Sequence, residues 1–176
     1  KVREARTAKL GPNHRDTLAT RYKLALCQEL TDRTAEAIEE FKKVRDAQMA
    51  ALGATDPDTL QTLYSLAIAY QRIGNTGDCA DLLERLRQTQ AVVLGPTHPR
   101  TLQALHSLAN VYLYSGKQAE AVALYEKGCE IRAAQLGAEH PATVTAWNDL
   151  AIAYRRVRRF DDSIALFARE IGRAHV

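Results

Sequence analysis

Apolar residues recur along the chain at helical spacing. Leu63, Leu66, Ala67 and Tyr70 stand at i, i+3, i+4 and i+7, which places them on one face of a helix. Ala121, Leu124, Tyr125 and Ile131 mark a second stripe of the same kind. Runs of β-branched residues, which would point to strands, are missing. Glycines and prolines sit between the stripes. Pro57, Pro99 and Pro141 suit the first position of a helix, where the missing N–H costs nothing and φ is already set. Asp56, His98 and His140 precede them at the cap position. Gly74 and Gly116 end these first helices. Gly11, Gly53, Gly95 and Gly137 end a second set, with Pro12 or Pro96 behind two of them. The pattern predicts helices in pairs.

The pairs repeat. Leu10-Gly11, Leu52-Gly53, Leu94-Gly95 and Leu136-Gly137 fall at a fixed step of 42 residues. Thr17, Thr59, Thr101 and Thr143 follow at one offset. The pairs Leu24-Ala25, Leu66-Ala67, Leu108-Ala109 and Leu150-Ala151 follow at another. Tyr70, Tyr112 and Tyr154 come three residues later, with Gln28 as the exception. Phe41, Leu83, Tyr125 and Phe167 share a position in the second helices. A helix pair of this size cannot bury its apolar face alone, so neighbouring pairs must stack into one array. The reading divides 1–176 into residues 1–11, the end of a truncated preceding repeat, then repeats at 12–53, 54–95 and 96–137, and a truncated fourth at 138–176. The opening KVREARTAKLG aligns with Lys43–Gly53. EIGRAHV, from Glu170 to Val176, fits no repeat position and resembles a translated sequencing adapter. The expectation is therefore a fragment of a longer protein.

Composition narrows the chemistry. The chain has 46% hydrophobic and 26% charged residues, an ordinary globular balance. No apolar run approaches the roughly 18 residues of a membrane span, so no membrane partner is expected. Cys27, Cys79 and Cys129 are odd in number and form no C-x-x-C pair, which predicts reduced thiols rather than a disulfide framework or zinc site. Phosphate-loop, nucleophile-elbow and metalloprotease motifs are missing, and no enzyme is expected. His14, His98 and His140 recur once per repeat. That separates them by about 10 Å, too far to converge on one metal ion. The expected cofactor set is empty, and no small-molecule substrate is expected. Arg155, Arg156, Arg158 and Arg159 form the sharpest charge cluster. It fits a solvated helix end, with an acidic peptide as the functional alternative; without interleaved aromatics it is a thin footprint for nucleic acid.

Leu105, Leu108, Ala109, Tyr112, Gly116, Ala121 and Tyr125, and again Trp147, Leu150, Ala151 and Tyr154, resemble the tetratricopeptide repeat. The 42-residue period and the linker LGPTHPRTL (Leu94 to Leu102) resemble its kinesin-light-chain-type variant. The chain departs from the pattern at Arg21, Gln28 and Asp32, at Gly128, and at Arg158 where glycine is expected. The resemblance implies an all-α fold, a right-handed α-solenoid of stacked antiparallel helix hairpins forming a superhelix. It also implies a protein-protein interaction module that holds a peptide or protein segment in a concave groove lined by the first helices. The groove positions it implies are Tyr22 and Leu26, then Tyr64, Ile68 and Arg72. They continue through His106, Asn110 and Tyr114 to Asn148, Ile152 and Arg156. Tyr64, Asn110, Tyr114 and Asn148 are the main expected contacts. Gln103, His106 and Ser107, with Tyr64 and Ile68, stand where a carboxylate clamp would want Lys, Arg or Asn, so that mode of capture is rejected. A sensor arm of a multidomain kinase or signalling ATPase is the alternative function, with an RNA-binding helical repeat behind it. End-to-end self-association is a further expectation, and the composition suggests a cytoplasmic bacterial protein.

Overall fold

The computed structural model describes residues 2–171. Lys1 and the segment from Gly172 to Val176, most of the EIGRAHV stretch, lie outside the described residues. The described residues form helices and turns, without strands. A short α1 (Val2–Leu10) precedes four helix pairs. The first helices are α2 (Arg15–Leu30), α4 (Pro57–Arg72), α6 (Pro99–Tyr114) and α8 (Pro141–Arg156). The second helices are α3 (Thr34–Ala51), α5 (Thr76–Val93), α7 (Gln118–Leu136) and α9 (Phe160–Ile171). The chain divides into two compact units, Lys1–Val93 and Leu94–Val176. Within each unit every helix packs on the next one in the chain.

Each first helix starts by the same local chemistry. His14, Asp56, His98 and His140 hold extended backbone just before the helix. Nδ1 of His14, His98 and His140 accepts the backbone N–H two residues on, at 3.2, 3.2 and 3.1 Å, and Asp56 Oδ1 does the same at 2.9 Å. Each side chain satisfies an amide that has no partner inside the helix. The recurring threonine has its own task in two repeats. Thr59 Oγ1 donates to the Gly53 carbonyl and Thr101 Oγ1 to that of Gly95, both at 2.9 Å, tying each first helix to the glycine of the linker before it.

The turn between the helices of a pair needs a left-handed residue. Gly74 and Gly116 supply it at φ 77° and 90°. Asp32 and Arg158, which replace glycine there, adopt φ 58° and 63° all the same. The reason is visible one residue later. The N–H groups of Arg33, Asn75 and Arg159 donate back to the carbonyls of Gln28, Tyr70 and Tyr154 at 3.0, 3.0 and 2.8 Å. This bond closes the helix end only when the residue before it turns left-handed. Packing of the pair therefore dictates the conformation, and Arg158 bears its steric cost.

Two apolar clusters hold the units. In the N-terminal unit Ala25, Ala37, Ile38, Phe41, Leu66 and Ala69 are buried together. In the C-terminal unit Trp147, Tyr125, Val122, Leu113, Leu150 and Cys129 surround Ala109 and Ala153. Ala25, Ala67, Ala109 and Ala151 are all fully buried. At such a fully buried position a methyl group allows facing helices to approach, and a larger side chain would overpack the contact. Cys79 and Cys129 are buried and Cys27 is exposed. Burial pushes the Cys79 thiol up to about 11 and the Cys129 thiol up to about 12, and Cys129 Sγ donates to the Ala146 carbonyl at 3.1 Å.

Three outcomes follow from this architecture. Ala109→Leu lowers the unfolding free energy by about 1–3 kcal/mol through overpacking, read as an earlier thermal melt. Arg158→Gly raises it by about 1 kcal/mol, read by denaturant titration, because glycine adopts the left-handed conformation without the steric cost. At pH 8 an aromatic disulfide reagent titrates Cys27 in the native chain and reaches the other two thiols only in denaturant, since a thiol at about 11 is thiolate in roughly one molecule in a thousand at that pH.

Candidate interaction surface

The first helices carry the residues that the repeat pattern points to. In the N-terminal unit, α2 and α4 are joined by three rungs of polar side chains, each with a pair one repeat plus one residue apart. Arg15 donates to Asp56 and Asp58 at 2.5 and 2.7 Å. Two helical turns on, Tyr22 Oη and Ser65 Oγ share a hydrogen bond of 2.9 Å. After two more turns Arg72 reaches Glu29 at 3.5 Å and Asp32 at 4.0 Å. The Tyr22 ring also tilts on Phe41, centroid to centroid 5.8 Å. Tyr22 and Arg72 are thus engaged inside the unit. Leu26 is half-buried against the apolar cluster. Tyr64 and Ile68 are half-buried on α4.

The C-terminal unit keeps the middle rung and loses the outer two. His106 Nε2 lies 2.8 Å from Asp149 Oδ2, at the positions of Tyr22 and Ser65 two periods earlier. Pro99 and Ala142 replace Arg15 and Asp58, and Leu113 and Gly116 replace Glu29 and Asp32. Arg156, the counterpart of Arg72, therefore loses both of its carboxylates. Its guanidinium instead lies 4.3 Å from the ring centroid of Tyr114, which stands where the N-terminal unit has Leu30. Such a stack contributes about 0.5–1 kcal/mol at an exposed site and orients the cation. Tyr114 is 63% exposed and Ile152 45%, which is large for apolar side chains on one face. Asn110 and Asn148 are half-buried beside them. Asn110 is held by Tyr125 Oη, which donates to its Oδ1 at 2.7 Å.

The arginine cluster at the end of α8 is divided. Arg159 lies over the Tyr154 ring at 4.3 Å and bonds Asp162 at 2.6 Å and Glu126 at 3.2 Å. Its side chain links the turn before α9 to α7 and to the first turn of α9. Arg155, Arg156 and Arg158 make no ion pair with a carboxylate among the described residues. Sequence reasoning did not find Glu29, Ser65, Tyr125 or Asp149, the partners that spend or orient the surface residues. For Glu29, Ser65 and Asp149 the signal was the offset of 43 residues between neighbouring first helices, one more than the repeat; Tyr125 reaches Asn110 from a second helix, 15 residues away.

Among the described residues, no group of three or more histidines, cysteines or carboxylates could hold a metal ion. No described helix is long and apolar enough to cross a membrane. A search of curated protein sequences finds no match. Tetratricopeptide-repeat family models match residues 58–134 and 19–47. Two crystal structures of the nearly identical TPR-like repeats of a Podosopora anserina protein described as a candidate kinesin light chain are each 30% identical to the chain. They superpose with TM-scores of 0.86 and 0.83 over 96% of this chain and 79% and 83% of theirs. BtubC (BKLC) from P. vanneervenii shares the fold at 15% identity, with a TM-score of 0.79 over 90% of this chain and 64% of its own. The period, the paired helices, the caps and these likenesses agree: the chain belongs to the tetratricopeptide-repeat family, in its kinesin-light-chain-type form, an all-α solenoid fold that serves as a protein-protein interaction module.

Proposed function

We propose that the first-helix surface of the C-terminal unit binds a segment of another protein and reads an acidic side chain on it. The observation behind this is Arg156. At the equivalent place Arg72 is neutralised by Glu29 and Asp32, whereas Arg156 has no carboxylate and lies along Tyr114. An exposed guanidinium held by an aromatic ring is a preorganised donor fork for a carboxylate. Ile152 and Tyr114 add apolar area beside it, and tyrosine and arginine are the residue types that most often anchor interfaces. Asn110 and Asn148 suit the backbone of the same segment, since each amide offers one acceptor and two N–H donors. In the N-terminal unit Tyr64 and Ile68 are the contacts assigned to a bound segment. Tetratricopeptide repeats of this kind are typically non-enzymatic scaffolds, and the reading calls for no catalysis. The three free thiols fit a reducing, cytoplasmic setting.

Selection of a random dodecapeptide library on the purified chain tests this. The expected peptides carry Asp or Glu next to an aromatic or branched aliphatic residue, and bind more weakly as salt rises. Arg156→Ala and Tyr114→Ala each weaken the best of them by about tenfold, as hot-spot truncations do. Arg72→Ala changes affinity by less than about threefold, because that cation is already paired. Peptides without a carboxylate, or indifferent to both C-terminal substitutions, refute the reading.

A further inference from the structure

Four side chains of the C-terminal unit form one hydrogen-bonded chain across three helices. Tyr125 Oη on α7 donates to Asn110 Oδ1 on α6 at 2.7 Å. Asn110 Nδ2 lies 3.3 Å from His106 Nδ1, and His106 Nε2 lies 2.8 Å from Asp149 Oδ2 on α8. The imidazole and the Tyr125 ring meet edge to face, 5.6 Å between centroids at 75°. Chemistry sets the direction of this chain. An amide nitrogen only donates, so His106 Nδ1 must present a lone pair, and the ring proton sits on Nε2 facing the carboxylate. The imidazole is neutral in this arrangement and both of its nitrogens are used.

A proton on Nδ1 changes that. Two donors would then face each other across the 3.3 Å gap between His106 and Asn110. A half-turn about the terminal torsion of Asn110 removes the conflict, because it exchanges the amide oxygen and nitrogen and leaves every other atom in place. Oδ1 then accepts from His106 Nδ1–H, and Nδ2 donates to Tyr125 Oη, which can accept as well as donate. The charged imidazole keeps Asp149. The turned arrangement keeps partners for both nitrogens of His106 and for the Asn110 amide, while the Tyr125 hydroxyl changes from donor to acceptor; one proton selects between the two.

The N-terminal unit carries a version of this cluster that cannot switch. Two periods earlier the same positions hold Tyr22, Leu26, Phe41 and Ser65. The ring contact is kept, at 5.8 Å between Tyr22 and Phe41, and so is the bond between first helices, Tyr22 to Ser65 at 2.9 Å. All four residues differ in the C-terminal unit, and together the four replacements build the polar chain.

We propose that His106, Asn110 and Tyr125 form a proton-driven amide switch, in which proton uptake by His106 turns the Asn110 amide over. Histidine is the side chain whose charge ordinarily changes between about pH 5 and 8. The titratable groups facing it in its unit are Asp149 on α8 and Tyr125 on α7. Burial, and then the Asp149 charge, push the Tyr125 hydroxyl well above its ordinary range, so it keeps its proton. Cys129, further along α7, is held up by burial and keeps its proton as well; the charged groups acting on it are Arg132, Asp149, Glu126 and Glu130. His106 and Asp149 are 31% and 30% exposed, open enough for proton exchange with solvent. Asn110 is half-buried on the surface assigned above to a bound segment. Its outward edge has one N–H and one lone pair left, and the turn makes them trade places. The consequence for binding rests on that assignment; the switch itself does not.

Side-chain NMR of the isotope-labelled chain without any partner, from pH 8.5 to 5, tests the switch directly. At high pH the expected His106 tautomer carries its proton on Nε2, and the Asn110 NH2 shows cross-relaxation to the His106 ring. As His106 takes up one proton, the Asn110 NH2 signals shift with the same midpoint, and their cross-relaxation moves to the Tyr125 ring. In His106→Gln the Asn110 signals stop responding to pH while the helical circular dichroism is kept. Should that variant fail to fold, Tyr125→Phe serves instead: His106 still titrates, but the response of Asn110 shrinks because the turned amide has lost its acceptor. An Nδ1–H tautomer at high pH, or an Asn110 amide that stays on His106 throughout, overturns the proposal. Either result leaves the peptide selection above untouched, so the two readings fail separately.

Discussion

A pair of short helices cannot bury its apolar stripe by folding on itself, and the rest of this structure follows from that constraint. Each stripe must find a neighbour, and the neighbours must come close. The alanines of the repeated Leu-Ala pairs, Ala25, Ala67, Ala109 and Ala151, are each fully buried. Around them the larger residues vary. Phe41, Leu83 and Tyr125 occupy one repeat position and are all buried. The small residue is fixed by backbone approach, whereas the large one has only to fill volume.

The same constraint reaches the turns. Gly74 and Gly116 could be taken as the cause of the left-handed turn that closes a first helix. Asp32 and Arg158 show that they are not, since both adopt that turn without being glycine. What forces it is the backbone bond to the carbonyl of Gln28, Tyr70 or Tyr154, together with the packing of the helix that follows. Glycine lowers the cost of a conformation that the stack imposes. At the other end of the first helices, histidine serves as a cap as readily as aspartate, because a neutral imidazole nitrogen is also an acceptor.

Once the stack is set, the side chains between first helices are free to differ. In the N-terminal unit they are spent on one another: Arg15 on Asp56 and Asp58, Tyr22 on Ser65, Arg72 on Glu29. In the C-terminal unit two of those rungs are gone, and the residues released include Arg156 and its platform Tyr114. The proposed partner site lies on the unit with fewer bonds between its first helices. Its remaining rung, His106 to Asp149, extends through Asn110 to Tyr125 and sets the orientation of an amide on the surface.

Much of this could be read from the chain alone. The period of 42 residues, the caps at Asp56, His98 and His140, and the buried Leu-Ala pairs from Leu66-Ala67 onward are local or periodic features. Helix spacing and capping depend on neighbours within a few residues, so sequence carries them in full. The surface residues Tyr114, Asn110 and Arg156 could also be placed on first helices by register. Whether each was available could not be read, because Arg72 and Arg156 occupy the same register and are told apart by what stands 40, 42 and 43 residues before them. The direction of the Asn110 amide was hidden for the same reason, as Tyr125 and Asp149 reach it and its neighbour His106 from two other helices. A hydrogen bond acts over about 3 Å, and only the packed helices decide which side chains, far apart along the chain, come within that distance.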